Sequence, residues 1–462
     1  MVRAETRHRM TRRLANWDYA QRAIYMITIT LEDRSREWLG HLVNLAENAG
    51  AREAGVAAPG GAVPGHSWPG NWAIAPTPFG EAALEALHEM PRRYPQVELL
   101  AEQLMPEHLH FVLFVKEPLP KPLGQLVRGF KAGAVKRWKA LAENAGAREA
   151  GVAAPGGVVT GGAVPGHFGP GSAVPGHSWP GLGPAWAEGF QDTILFRDGQ
   201  LKAMIAYVGD NPRRLAEKRA NPALFRRVAR LERPLDGGRI IGAFEALGNR
   251  HLLDRPLHQV QCSRRFLAYR RVPKPGGGLK IVRDAAGEPM IERETPDYRE
   301  RLEAAHAAAA HGAVTLSPCI SDGERQIARE ALKRRLPIVA LKNMGFAKLE
   351  KPSGGYFEAC AEGRLLLLAP AAWPCQTQAK DMTRFDATAL NRIAQWLAGD
   401  GAIEINYHGM RPANIDELAE KAVEARKGGG DVARAPSPLQ GGQEQGRDCL
   451  ATSGLAAKGG AE

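Results

Sequence analysis

The sequence predicts two domains of different class: α+β over residues 1–232 and α/β over residues 236–424, with a disordered tail at 425–462. Three observations point there. At 462 residues the chain is long enough for two separate cores. Strand-like and helix-like segments interleave without a regular βαβ rhythm in the first half, the mark of an α+β sandwich. Beyond residue 236 short apolar runs alternate with helical segments, as in a parallel, Rossmann-like sheet.

Two repeats interrupt the first half. "LAENAGAREAGVAAP" stands at 45–59 and again at 141–155, and "AVPGHSWPG" stands at 62–70 and at 173–181. Rich in Gly, Pro and Ala, they carry no period beyond the short "AENAGAREA". They bury too little apolar surface to offset ordering entropy, which predicts disordered insertions at about 45–71 and 141–184. His66, His167 and His177 recur inside them in Pro-Gly-His units, a pattern more often passive than ligating.

With the insertions set aside, "AIYMITITL" (23–31) reads as a strand rich in β-branched residues. "FGEAALEALHEMPRR" (79–93) has helical spacing, with Leu84, Leu87 and Met90 on one face. "VELLAEQLM" (97–105) and "HLHFVLFV" (108–115) read as strands joined at Pro106-Glu107. "LGQLVRGFKAGAVKRW" (123–138) is a basic amphipathic helix, "FQDTILF" a short strand, and 199–211 a helix ended by Pro212. In the second half "HQVQCSR", "GAVTLSPCI", "PIVAL" and "RLLLLAP" supply the strands, and Ser321 with Glu324 forms a capping box.

The formal charge of +11 is concentrated. Residues 1–22 hold six Arg against two acids, 123–139 five cations and no acid, and 213–233 eight against two. Any one run is ordinarily a solvated face; three flanking one candidate site fit a polyanion, most simply nucleic acid. No apolar run reaches the length of a membrane span. The basic N-terminus lacks the apolar core of a secretory signal, and five scattered cysteines do not make a disulfide framework. The expected location is the cytoplasm, in association with the nucleoid.

The chemistry concentrates in "MPEHLHFVLF" and "AYVGDNPRR". In a strand His108 and His110 project from the same face, so two imidazoles can converge on one cation. A lone H-x-H is more often structural. Tyr207 and Asn211, four apart, would share a helix face, offering an amide oxygen as third ligand and a phenol as nucleophile. The plainer reading makes Tyr207 a half-buried helix aromatic and Asn211 a C-cap. A phenol titrates near 10 and attacks poorly at neutral pH, so a polarising cation would help it.

Taken in order, "MPEHLHFVLF", "LGQLVRGFKAG", "FQDTIL" and "AYVGDNPRR", with "RRLANWDYAQRAIYMITIT" before them, resemble IS200-like transposases, the single-tyrosine HUH enzymes. The chain most resembles the REP-associated tyrosine transposase branch, whose tyrosine helix also runs into Asn-Pro. The resemblance covers residue 11 to about 232 outside the insertions. It implies a ferredoxin-like HUH domain with an antiparallel sheet, and metal ligation (Mg²⁺ or Mn²⁺) by His108 and His110. It also implies Tyr207 as nucleophile, cutting single-stranded or hairpin-associated DNA through a 5′-phosphotyrosine. Asn211 falls where the wider group has a glutamine as third ligand. Arg128, Lys131, Lys136, Arg137, Arg213 and Arg214 would follow the DNA backbone, with Trp17, Tyr19 or Trp138 as stacking candidates. Members act as monomers or as homodimers.

The second half loosely resembles DNA-processing proteins of the DprA/LOG type, with "SPCISDGE" in place of a glycine-rich phosphate turn. Cys319 stands there as a reactive thiol or, more simply, a structural one. Two other functions fit the sequence: a non-catalytic DNA-binding regulator descended from such a transposase, and a nucleotide-binding protein acting through its second half.

Overall fold

The computed structural model describes residues 17–45, 71–149, 186–196, 199–273, 278–284, 287–347, 350–373, 375, 382–402, 407 and 410–424. The basic segment before residue 17, most of both predicted insertions with their three histidines, and the predicted tail from 425 lie outside these residues. The chain divides into two compact units, Met1–Glu217 and Lys218–Glu462.

The first unit is built on a four-stranded antiparallel sheet. Its strands are β1 (Ala23–Thr30), β4 (Val97–Leu104), β5 (His108–Val115) and β6 (Gln191–Ile194), in the order β4-β5-β1-β6. A separate hairpin pairs β2 (Gly40–Asn44) with β3 (Trp72–Pro76), Asn44 lying opposite Trp72. The first predicted insertion therefore leaves and re-enters the fold at one hairpin end. Helix α1 (Pro78–His88) starts where Thr77 Oγ1 accepts from Gly80 N at 3.1 Å and Pro78 fills a first-turn position that needs no donor. It stops at His88, short of the predicted end at 93, and a separate turn follows at Met90–Arg93. Helix α2 (Leu123–Glu149) runs past the predicted 138 into the second repeat. The alanines of that copy are good helix formers and continue the preceding helix.

Strand alternation sorts the sheet's two faces. Tyr25, Ile27, Ile29, Leu109, Phe111 and Leu113 are fully buried on one face, in a core shared with Phe79, Leu87, Leu126 and Phe130 of α1 and α2. Each such side chain contributes about 1.5–3 kcal/mol by leaving water. On the other face Met26, Ala101 and Val112 pack against Val208, with Leu201, Met204 and Ile205 beside it. These last four belong to helix α3 (Gln200–Gly209). A short helix that covers one patch of this face leaves the neighbouring end of β5 for polar residues.

One ion pair ties α1 to the sheet: His88 Nε2 meets Glu102 Oε1 at 2.7 Å, and the Glu102 side chain is only 4% exposed. The hydrogen bond to that carboxylate holds the His88 pKa above its usual value, against the opposing effect of burial. A raised histidine contributes stability that is complete below about 6.5 and lost as pH rises through the folded value. Melting midpoints measured from pH 6 to 8 should therefore fall more steeply in the parent than in His88→Gln. Parallel curves would mean that the pair adds nothing to stability.

The second unit carries a six-stranded mixed sheet. Its parallel strands are β9 (Leu257–Gln259), β14 (Val314–Ser317), β15 (Ile338–Leu341) and β16 (Leu365–Pro370). The expected Rossmann-like alternation fits this parallel part. Two antiparallel strands extend it, β7 (Val228–Leu235) and β8 (Ile240–Gly248), so residues 228–232 pair inside the second sheet. The full order is β7-β8-β16-β15-β14-β9. Both faces are covered. Helices α5 (Pro296–Ala310), α6 (Asp322–Lys333) and α7 (Gly355–Ala361) connect successive parallel strands, and Ala328, Ala359 and Cys360 pack on Ile338, Ala340 and Leu367. On the opposite face α8 (Arg384–Ala398) and α9 (Pro412–Val423) bury Leu390, Ile393 and Val423 against Val339, Leu341 and Leu366. A sheet buried on both faces explains why its strands read as unbroken apolar runs.

Candidate functional site

His108 and His110 lie on the β5 face that α3 partly covers. Their Nε2 atoms face each other at 2.9 Å. The Nδ1 atoms turn outward: His108 Nδ1 meets Glu107 Oε1 at 3.1 Å, and His110 Nδ1 meets Thr28 Oγ1 at 2.8 Å. Thr28 stands opposite His110 in the β1–β5 ladder, so sheet register fixes that contact. An ionised carboxylate only accepts, which puts the His108 proton on Nδ1. Thr28 Oγ1 also lies 3.6 Å from Met26 Sδ, and with its hydroxyl turned there it can accept a hydrogen bond from His110 Nδ1. At 2.9 Å the two Nε2 atoms are within hydrogen-bond distance, one ring donating to the other; loss of that proton would leave both nitrogens directed at one cation.

The donor set fits a divalent metal. Two nitrogens 2.9 Å apart suit neighbouring corners of an octahedron of about 2.1 Å radius, which lie roughly 3 Å apart. The outward bonds of Nδ1 are the supports that metal-binding imidazoles ordinarily have. Among the described residues no group of three or more His, Cys, Asp or Glu gathers at one point. Among the described residues, that leaves an amide, a hydroxyl, water or substrate as further ligand candidates.

Tyr207 stands beside the pair, its ring centroid 6.3 Å from that of His110, and is 42% exposed. On α3 it flanks the apolar stripe of Met204 and Val208, which pins the helix to the sheet while the phenol stays at the edge. The expected single helix through Asn211 is broken. Asp210 ends α3, and a new helix, α4 (Asn211–Ala220), begins with Pro212 in its first turn, where proline is tolerated. Asn211 is buried, and its Nδ2 donates to Tyr207 O (3.0 Å) and Val208 O (3.1 Å), closing the last turn of α3. The capping role that the sequence allows is thus present, and only Oδ1 is left as a ligand atom.

The cations divide. Arg214 is buried with its guanidinium carbon 5.5 Å from the Tyr207 ring centre, and Arg213 grips Asp210 with two bonds of 2.6 and 2.8 Å. Lys131 donates to Ala187 O at 2.8 Å and to Gly189 O, tying α2 to the segment before β6, and burial pushes its pKa down to about 8. Arg137 pairs with Glu85 and Glu89 around α1. Arg128 and Lys136 remain exposed on α2. Of the stacking candidates, Tyr19 is buried against Tyr25 and Trp138 packs on Phe79, whereas Trp17 edges onto Phe196, which is 60% exposed. Thr28, Glu107 and Phe196 carry no motif in the sequence; their only signal is position, opposite or beside the histidines and just ahead of the tyrosine helix.

In the second unit, the first turn of α6 is filled by its own chain. Ser321 Oγ accepts from Glu324 N at 3.2 Å, and the buried Glu324 carboxylate accepts from Cys262 N, Ile320 N and Ser321 N at 2.7–3.1 Å. Cys319, half-buried, bonds Ser317 Oγ at 3.4 Å. This is a structural knot, and it favours no nucleotide site.

No protein-family model matches the chain, and no curated protein does. A search of solved structures returns a REP-associated tyrosine transposase bound to a REP hairpin, 12% identical, covering 44% of this chain and 74% of that one, with a TM-score of 0.22. A score that low leaves the fold to be described from this chain's own elements. Among the described residues no helix is long and apolar enough to cross a membrane.

Proposed function

We propose that the first unit is a metal-assisted DNA strand transferase that cuts and rejoins single-stranded, hairpin-associated DNA through Tyr207. The observation that supports this most is the gathering of His108, His110 and Tyr207 at one end of a single sheet face, with the Nε2 atoms 2.9 Å apart and the phenol ring 6.3 Å from His110. The motif order shared with IS200-like transposases supports it independently. So does the strand order β4-β5-β1-β6 with α1 between β1 and β4 and α2 between β5 and β6, the plan of a ferredoxin-like HUH domain.

His108 and His110 would hold the divalent ion, with Asn211 Oδ1 as a further candidate; imidazole ligands favour Mn²⁺ over Mg²⁺. When bound, the ion withdraws charge from the scissile phosphate and stabilises charge built up in the transition state. Tyr207 Oη attacks phosphorus, forming a phosphotyrosine ester, while the bond to the 3′ oxygen breaks and its electron pair stays on that oxygen. The phenol proton leaves to solvent and the 3′ oxygen gains one from solvent, since Tyr207 is open to water. Attack of a 3′ hydroxyl on the phosphotyrosine reverses these steps, so the bond energy is conserved without ATP. Arg214 holds the Tyr207 ring in place, and Arg128 and Lys136 offer charge to the backbone.

The test is adduct formation on labelled hairpin DNA with Mn²⁺. The parent should yield a covalent protein–DNA species that Tyr207→Phe does not form. Absence of any adduct in the parent, across strands taken from the ends of the encoding element, would support a non-catalytic DNA-binding protein instead.

A further inference from the structure

The described residues of 264–294 in the second unit form an arm that belongs to neither the six-stranded sheet nor its covering helices. Among the described residues strand β11 (Arg271–Pro273) pairs with β12 (Leu279–Ile281) alone, while β10 (Leu267–Tyr269) pairs with β13 (Ile291–Glu294) nearer the body. The β11–β12 ribbon has an inner and an outer face. Arg271 lies opposite Ile281 and faces inward: its guanidinium meets Asp322 Oδ1 at 2.7 Å, and Ile281 packs beside the buried Val260 and Tyr269. Val272 lies opposite Lys280, and Arg270 accepts from Val282 N. Alternation then puts Arg270, Val272 and Lys280 on the outer face. Val272 is 40% exposed and Leu279, next to the ribbon's end, 62%.

We infer that this ribbon is a docking surface for double-stranded DNA, separate from the Tyr207 site. Charge selects a polyanion: along the arm Arg264, Arg265, Arg270, Lys280 and Arg293 are exposed, against three exposed acids, Asp284, Glu292 and Glu294, the last of which is bonded to Arg299. Shape selects a duplex, because a two-stranded ribbon fits the major groove, about 12 Å wide. Side-chain chemistry agrees. Surfaces for single strands present aromatic faces to the bases, whereas Phe266 and Tyr269 of the arm turn into the protein. The exposed Val272 on the outer face suits the thymine methyl groups that line the major groove. An apolar partner protein would leave the flanking cations desolvated without counter-charge.

The experiment uses the full chain and a short fluorescent duplex without hairpin or single-stranded ends, in EDTA so that the histidine site makes no metal-dependent contribution. Arg270→Glu with Lys280→Glu should weaken duplex binding at least tenfold. It should also flatten the dependence of log affinity on log salt by about 0.9 for each phosphate that the variant no longer neutralises. Arg270→Gln with Lys280→Gln should fall between that variant and the parent, and Arg250→Glu, at an exposed arginine of the second unit outside the arm, should bind as the parent does. The glutamine pair guards against misfolding: if it melts like the parent and binds duplex like the parent, the inference is overturned. It is equally overturned by an undiminished affinity of the glutamate pair, by an equal loss on single strands, or by tighter binding to duplex RNA than to duplex DNA. None of these outcomes depends on whether Tyr207 forms an adduct.

Discussion

His110→Ala is expected to lower strand cleavage roughly a thousandfold, the counterpart of about 4 kcal/mol of lost transition-state stabilisation. The reasoning starts from the two Nε2 atoms, which face each other at 2.9 Å. One imidazole cannot chelate, and Asn211 already spends its amide nitrogen on the carbonyls of α3. Thr28→Val should behave differently. It leaves both nitrogens but frees His110 to turn and to take the other tautomer, for a loss of about ten- to a hundredfold. Raising Mn²⁺ should recover much of that loss, whereas in His110→Ala it should not. A second readout needs no DNA. Mn²⁺ at a hundred times its Kd should stabilise the parent by about 2.7 kcal/mol, Thr28→Val by less at the same concentration, and His110→Ala not at all. If His110→Ala cleaves and melts like the parent, these histidines are only two polar residues at a strand end.

Gly248→Ala should destabilise the second unit by about 2–6 kcal/mol, the sum of two separate costs. The backbone there has φ +117°, outside the range that L residues occupy, and such strain costs about 1–3 kcal/mol. A Cβ would also stand 2.1 Å from Leu365 O. That oxygen cannot move aside easily, because it accepts from Asn249 N at 2.8 Å just where β8 joins β16. Overpacking of this kind adds about 1–3 kcal/mol. Gly312 is the comparison: its φ is +87° but nothing lies within 4 Å of the added carbon, so Gly312→Ala should show the backbone cost alone. Denaturant midpoints for the unfolding of this unit decide it. Equal shifts for the two variants would mean that the Leu365 contact costs nothing.

Legibility follows the range over which each residue's partners lie. Strands β1, β4 and β5 are readable because their side-chain alternation is local, and the same parity puts His108 and His110 on one face before any fold is known. Tyr207 is readable as a neighbour only through the shared motif order. What reaches across the chain is hidden. Thr28 is 82 residues from His110, and nothing in "ITIT" marks it as the partner of that imidazole. Lys131 and Arg137 read as surface cations because Ala187, Gly189, Glu85 and Glu89 are distant in sequence or on another helix. The β2–β3 hairpin escapes because a repeat separates two strands of five residues each. Strand β7 escapes for another reason: "VARLERPL" is an edge strand whose arginines continue the basic run after Tyr207, so it looks like the end of the first domain.

The hairpin end at Asn44 and Trp72 has an evolutionary consequence. The two residues are cross-strand partners, and Leu45 N bonds Asn71 O at 2.5 Å. Chain entering there must come back to where it left, whatever its length. Doubling the length of chain that closes at such a point costs only about 0.6 kcal/mol in closure entropy. Selection on the strands either side is therefore nearly blind to how much sequence lies between them. A gene can gain, duplicate or lose in-frame segments at this junction while the ladder keeps its register, and so can keep the histidine face intact as the polypeptide around it changes in length.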